Sequence, residues 1–243
     1  MAVFTETVTL ENFEKQDPEY QDLVRRVLAI QADCEIGGPH LYVDDMLPGA
    51  PRKVDQLIVA RTAAEEIDHF RKFSTIAGGV GVDTSYILSR PNQDRYLEAF
   101  RGQINTWENF SVFGMLIDRV GKYQLEEFQN CTFQPLAELI GHPSKVMEEE
   151  AGHIDYGTTR SWELLAQGDE AKQRVQEAVD SWYVMALDMF GRSESYRSAR
   201  YMEWGLKRRT NEEARQQYIA EVNPLLTQMG LQIPDPLKGR KFL

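Results

Sequence analysis

One spacing of chemistry-bearing residues occurs twice in the sequence: a single acid and, about thirty residues later, a Glu-x-x-His unit. Glu35 precedes Glu66 by 31 residues, Asp118 precedes Glu150 by 32, and His69 and His153 each follow their glutamate by three. Three residues is just under one helical turn. Each Glu-His pair therefore projects from one helix face, where a carboxylate oxygen and an imidazole nitrogen can reach one metal ion. The chain has only 4 histidines in 243 residues, so committing two of them to this pattern restricts the fold strongly. The four segments have to be helices whose marked faces converge. Without a metal, four acids gathered in a core would repel one another and carry a large desolvation cost.

The rest of the sequence agrees with helices throughout. Apolar residues recur at three and four, and no stretch alternates strictly. Asp17-Pro18 supplies a start and Gly37-Gly38 a stop, predicting a first helix over 18–36 with Val24, Val27, Leu28 and Ala32 facing inward. A turn-rich link leads to a second over 52–77, closed by Gly78-Gly79. A short helical piece near 94–100 precedes a third over 106–130. Gly141 and Pro143 set off a small segment before a fourth over 144–167, and Asp169 caps a fifth running to Phe190. Ser193 and Thr210 read as caps of two more, ending near Arg208 and Met229. The fold class expected is all-α: a four-helix bundle with additional C-terminal helices, in a single domain over 1–243. The aromatic residues Trp107, Phe110, Phe113, Trp182, Tyr183 and Phe190 are expected in its core.

Composition narrows the partners. A formal charge of -11 with no long basic stripe argues against nucleic acid and anionic membrane surfaces. No run approaches the roughly 20 apolar residues of a membrane span, and MAVFTETVTLENFEKQ has neither a basic nor an apolar leader region. A cytoplasmic location is expected, with Cys34 and Cys131 reduced.

Two single acids plus two Glu-x-x-His units in a helical bundle form the ligand set of the ferritin-like di-iron and di-manganese carboxylate proteins. The candidate ligands are Glu35, Glu66, His69, Asp118, Glu150 and His153, for two iron ions, manganese being compatible with the same donors. On the third helix Glu126 and Glu127 compete with Asp118; spacing and helix face favour Asp118. Glu65, Asp68, Glu149 and Asp155 are candidates for an outer shell, although a solvent-facing charge is the simpler reading of each. His40 and His142 fall in expected loops and read as non-ligands. Ser111 and Gly114, one turn before Asp118, leave space that reads as a substrate pocket. Lys207, Arg208 and Arg209 are the one basic cluster, either complementing a helix end or holding a phosphate-bearing ligand. There is no Gly-rich dinucleotide fingerprint and no cysteine cluster, so electrons for redox chemistry would come from a separate reductase.

From about Glu35 to Pro236 the sequence also resembles the catalytic alpha subunits of the phenylacetyl-CoA epoxidase family. The matching stretches are CEIGG, AAEEIDH, GMLIDR, EEEAGH, LAQGDEAKQ, ALDMFG, RRTNEEARQQY and IPDP. The resemblance implies a di-iron monooxygenase with the six ligands above, acting with dioxygen on an aromatic acyl-CoA within a homo- or hetero-oligomer. It also implies CoA phosphates near Lys207, Arg208 and Arg209. Thr62 and Ala64 stand where those subunits carry lysine and glutamine, as in a paralogue with another substrate. The alternatives are a non-catalytic structural subunit of such a complex and a ferritin-like protein that oxidises and stores iron.

Overall fold

A computed structural model describes residues 4–242, which are helical with no strand among them; a lone bridge joins Val8 to Phe133. Helix α1 spans Pro18–Gly49, with the Asp17 side chain accepting from the Glu19 N–H at 2.8 Å. The expected stop at Gly37-Gly38 does not occur. Gly37 is small because the Phe100 ring lies 2.7 Å from where its Cβ would be, so this glycine serves packing rather than termination. Pro39 forfeits one helical N–H, and α1 continues for ten residues beyond it. His40 consequently lies on a helix, not in a loop.

Helix α2, Lys53–Gly79, returns after a three-residue link and packs along α1. The short piece expected near 94–100 is two separate 3-10 turns, Asn92–Asp94 and Glu98–Phe100. Helix α3, Trp107–Phe113, runs through a π-helical turn, Gly114–Asp118, into α4, Arg119–Phe128. Then come α5 (Gln134–Ile140), α6 (Lys145–Leu165), α7 (Asp169–Met189), α8 (Tyr196–Glu203) and α9 (Asn211–Gln228). Thr210 caps α9 in a reciprocal box with Glu213, as its sequence predicts. Two caps differ from expectation. Gly168, at φ 116°, precedes α7 and makes Asp169 its first residue, and Ser195 rather than Ser193 caps α8. Among the described residues no helix is long and apolar enough to cross a membrane.

The apolar side chains form two clusters, and the long helices pass from one to the other. Along α1, Ala32 and Ile36 belong to the first cluster and Leu41 and Tyr42 to the second; along α2, Phe70 and Ala63 divide the same way. Helix α6 contributes Val146 to one and Leu164 to the other. The candidate ligands occur at these crossings. Of the expected core aromatics, Phe110, Phe113, Trp182 and Tyr183 are buried and Trp107 and Phe190 pack partly buried against them.

Helix α6 approaches the π turn closely because Gly157 faces it. A Cβ on Gly157 would lie 2.6 Å from the Met115 nitrogen and 2.7 Å from the Ser111 carbonyl oxygen, both backbone atoms that cannot rotate away. Gly157→Ala is expected to destabilise the protein by about 3 kcal/mol in urea denaturation. Gly152→Ala, on the exposed side of α6 with no atom near its Cβ, should stabilise it by about 0.5–1 kcal/mol. Equal effects of the two substitutions would refute this account of the packing.

Candidate metal centre

Glu35, Glu66, His69 and Glu150 come from α1, α2 and α6 and bring one potential ligand atom each within 4.8 Å of one another. All four are buried. His153 completes the opposite side, with its ring centroid 6.3 Å from that of His69. The two glutamates of the Glu-x-x-His units each turn one oxygen toward each histidine. Glu66 places Oε2 3.8 Å from His69 Nδ1 and Oε1 3.2 Å from His153 Nδ1. Glu150 places Oε1 3.2 Å from His69 Nδ1 and Oε2 3.9 Å from His153 Nδ1. Glu35 Oε2 lies 3.4 Å from His69 Nδ1 alone.

Neither Nδ1 makes a well-aligned hydrogen bond, although both are fully buried. A pair of buried imidazole nitrogens aimed at shared carboxylates fits divalent cations, which Glu35, Glu66, His69, Glu150 and His153 would hold. Asp118 ends the π turn and lines the same cavities as Glu66, Glu150 and His153; burial, then repulsion from Glu66 and Glu150, raises its carboxyl well above the usual range. Glu126 points elsewhere: its Oε2 is 3.2 Å from Arg209 Nη2, and Glu127 is ion-paired with the same arginine. Asp118 lies outside the four-residue group but, unlike Glu126, lines the cavities that border it.

The outer nitrogens of the histidines are fixed across the bundle. His69 Nε2 on α2 is 3.0 Å from Glu149 on α6, and His153 Nε2 on α6 is 3.0 Å from Glu65 on α2. Each of these carboxylates is held in turn from one turn earlier, Glu65 by Arg61 and Glu149 by Lys145. Glu65 and Glu149 are thus not simple solvent-facing charges; they orient both imidazoles so that Nδ1 faces the cage. The signal in the sequence is the doubled glutamate, Glu-Glu-x-x-His, preceded by a basic residue four positions earlier, in both repeats. Asp68 instead pairs with Arg71 and Lys72, and Asp155 is exposed. Gln31, which the sequence did not mark, donates from Nε2 to Glu35 Oε1 at 2.6 Å and leaves Oε2 for the cage.

Burial and mutual repulsion set the charges. Burial pushes Glu35 up to about 8, and burial with repulsion from Glu66 raises Glu150. Burial also acts on Glu66, but the close approach of its carboxyl to His153 and His69 outweighs it and holds it at about 2. Burial opposes charge on His153 as well, yet Glu66, Glu150 and Asp118 raise it to about 10. His69 is raised in the same way, chiefly by Glu150, Glu35 and Glu66 against the effect of burial. Protons on the histidines and on some of the acids therefore neutralise the metal-free cage, and divalent ions would take their place.

Beside the cage lies a cavity of about 310 Å³, reaching from Glu35, Glu66, Asp118 and Glu150 past Gly121 and Phe190 to Arg197 and Lys207. The pocket expected at Ser111 and Gly114 is not this one: with Gly157 of α6 packed against the Ser111 carbonyl and Gly114, Ser111 lines neither cavity and Gly114 borders only a chamber of about 20 Å³. The basic cluster divides. Arg208 donates to the Glu126 carbonyl at 2.7 Å, Arg209 is engaged with Glu126, Glu127, Gln217 and the Tyr123 carbonyl, and Lys207 lines the cavity. His40 bonds Arg95 away from the cage, and His142 precedes Pro143 in the turn before α6. Cys34 and Cys131 are free thiols.

A sequence model of the family described as "Phenylacetic acid catabolic protein" matches residues 8–241. The chain is 28% identical over 222 residues to one of the subunits of the 1,2-phenylacetyl-CoA epoxidase of Escherichia coli (strain K12), a match covering 89% of this chain and 70% of that one. It is 30% identical over 227 residues to benzoyl-CoA oxygenase component B of Aromatoleum evansii, covering 80% of this chain but 46% of the relative, so it spans less than half of that protein.

Two outcomes are expected. Anaerobic loading with ferrous iron should give about two ions per chain by elemental analysis; Asp118→Ala should lose one of them and Glu126→Ala neither. The metal-free protein should also lose stability as pH rises from about 4.5 toward 8. Glu35 has its folded pKa raised to about 8, so its contribution is full below the unfolded value and disappears as it deprotonates. Bound metal should flatten that slope, measured as the urea midpoint against pH.

Proposed function

The chain belongs to the phenylacetic acid catabolic protein family, and on that premise we propose that it is the oxygen-activating subunit of a di-iron monooxygenase acting on an aromatic acyl-CoA. The observation that carries the reading is the sharing of carboxylates: Glu66 and Glu150 each present one oxygen to each histidine. When bound there, a pair of iron ions supplies the dioxygen coordination and electron storage that the chemistry needs. Glu35, Glu66, His69, Asp118, Glu150 and His153 are the proposed ligands, with electrons delivered by a separate reductase. The names of the two relatives, an epoxidase and an oxygenase of CoA thioesters, support this substrate class.

The remaining parts are supplied by the chain itself. The cavity lies at the lower end of the roughly 300–1,000 Å³ typical of small-molecule sites, so it suits an acyl group while the nucleotide end of CoA stays outside. Leu97, Phe100, Ile117, Val120 and Phe190 give it apolar walls that keep water from the reacting carbon. Arg197 and Lys207 give its far end positive charge. Lys207 is lowered to about 8 by burial and remains mostly cationic at neutral pH. Among the three basic residues marked by the sequence, Lys207 lines the cavity, which supports it as the partner of an anionic group of the ligand; Arg208 and Arg209 brace α4.

The reading is tested by supplying ferrous iron, a reductant, dioxygen and either phenylacetyl-CoA or benzoyl-CoA, and following a product one oxygen atom heavier by mass spectrometry. Oxidation of neither thioester by metal-loaded protein would count against the substrate class. Gly121→Met adds a side chain where a Cβ meets nothing within 4 Å, so it should enter the cavity without disturbing the helix. Calorimetry should show acyl-CoA binding weakened roughly tenfold or more, a loss of about 1.4 kcal/mol, with metal content unchanged.

A further inference from the structure

A second, much smaller chamber borders the cage on the side where α2 and α6 meet the π turn. Its volume is about 20 Å³, and it meets the large cavity only at Gly38, Glu66 and Asp118. One water needs roughly 10–15 Å³ of such space and two to four polar partners. Tyr42, two turns beyond Glu35 on α1, lines this chamber; it is 3% exposed, and its hydroxyl is fully buried with no hydrogen-bonding partner in the chain. Glu66 and Asp118 line the same chamber and offer carboxylate acceptors there. Thr62, also buried, brings a second hydroxyl-bearing side chain to the chamber wall.

We propose that this chamber is a built site for a single water molecule, anchored by the Tyr42 hydroxyl with Thr62 and held against the Asp118 and Glu66 carboxylates. Volume and chemistry select the occupant. The space is too small for an organic ligand, and although Phe110, Phe113 and three glycines make much of its wall, Tyr42, Thr62, Glu66 and Asp118 give it the two to four polar partners that a water needs. A buried hydroxyl left without any partner would be a net cost to the fold, and one bridging water removes that cost. The water would occupy the face of the cage away from the substrate cavity, making Tyr42 a positioning residue for solvent at the ligand carboxylates. The site is a property of the metal-free chain and stands whatever metal or substrate the cage serves, so its failure is separable from failure of the oxygenase reading.

The test uses high-resolution crystal structures and thermal melts of the full-length, metal-free protein and of Tyr42→Phe, which removes one oxygen atom. One ordered water within 3.2 Å of the Tyr42 hydroxyl, lost in Tyr42→Phe together with a lower melting temperature, is the expected result. A dry chamber with Tyr42→Phe melting higher than wild type would overturn the proposal, because that is how removal of an orphaned hydroxyl behaves. A direct Tyr42 hydrogen bond to a carboxylate, with no water, would overturn it as well. Should Tyr42→Phe fail to fold, Thr62→Val replaces it; that variant must still show a water on the Tyr42 hydroxyl, and a dry chamber there and in the wild type rejects the site.

Discussion

Three buried acids, Glu35, Glu66 and Glu150, and the half-buried Asp118 share two histidines and no arginine or lysine, and the rest of the structure is arranged around that imbalance. The contrast with other buried acids is direct. Asp33 is paired with Arg90 and Arg95, Asp55 with Arg52 and Arg160, and Glu127 with Arg209. Each of those charges has a guanidinium to offset its desolvation. Glu35, Glu66, Asp118 and Glu150 have only the two imidazoles, whose Nδ1 atoms face them without well-aligned hydrogen bonds. Such a set is costly as a structural core and well matched to two divalent cations.

Precision at the cage comes from helix crossings rather than from loops. Each ligand helix passes between two apolar clusters, so packing above and below fixes its rotation where the ligands project. The exchange of outer contacts adds a lateral tie: α2 holds a histidine of α6 through Glu65, and α6 holds a histidine of α2 through Glu149. The pseudo-twofold arrangement follows from the duplicated sequence unit. It is broken at one ligand, since Glu35 lies in regular helix and Asp118 at the end of a π turn. The extra residue of that turn advances the following side chains by roughly 100° about the axis, and the two glycines Gly114 and Gly157 make room for it.

Much of this was legible in the sequence. Helix-period spacing set Glu66 with His69 and Glu150 with His153, and the thirty-residue offset pointed to Glu35 and Asp118. Those features are local or periodic, which is what a sequence records directly. What was misread depended on contacts between distant segments. Gly37-Gly38-Pro39 has the composition of a helix stop, yet Phe100, more than sixty residues away, accounts for Gly37 and α1 runs on to Gly49. Ser111 and Gly114 look like space for a ligand until Gly157 is placed against them. The orienting role of Glu65 and Glu149 depends on which helix faces which, information that is carried only by the assembled bundle.

The basic residues after α8 show how the same composition divides between structure and ligand. Arg208 and Arg209 look no different from Lys207 in sequence, but the fold assigns them to α4: Arg209 satisfies the buried Glu127, which would otherwise be an uncompensated charge beneath the cavity floor. Lys207 is left on the cavity wall with Ser198 and Asn211 as neutral partners rather than a carboxylate. An amine held by neutral groups keeps its charge available to an incoming anion, whereas one already paired with an acid does not. The cavity therefore joins the carboxylates of the cage to Lys207 and Arg197 across apolar walls, with the Arg209-paired Glu127 also in its lining. On the proposed reading, a ligand with an apolar reacting part and an anionic tail fits this lining. This restricts the chemistry more tightly than the metal ligands do, because the ligand set alone is shared by oxygenases and iron-storage proteins.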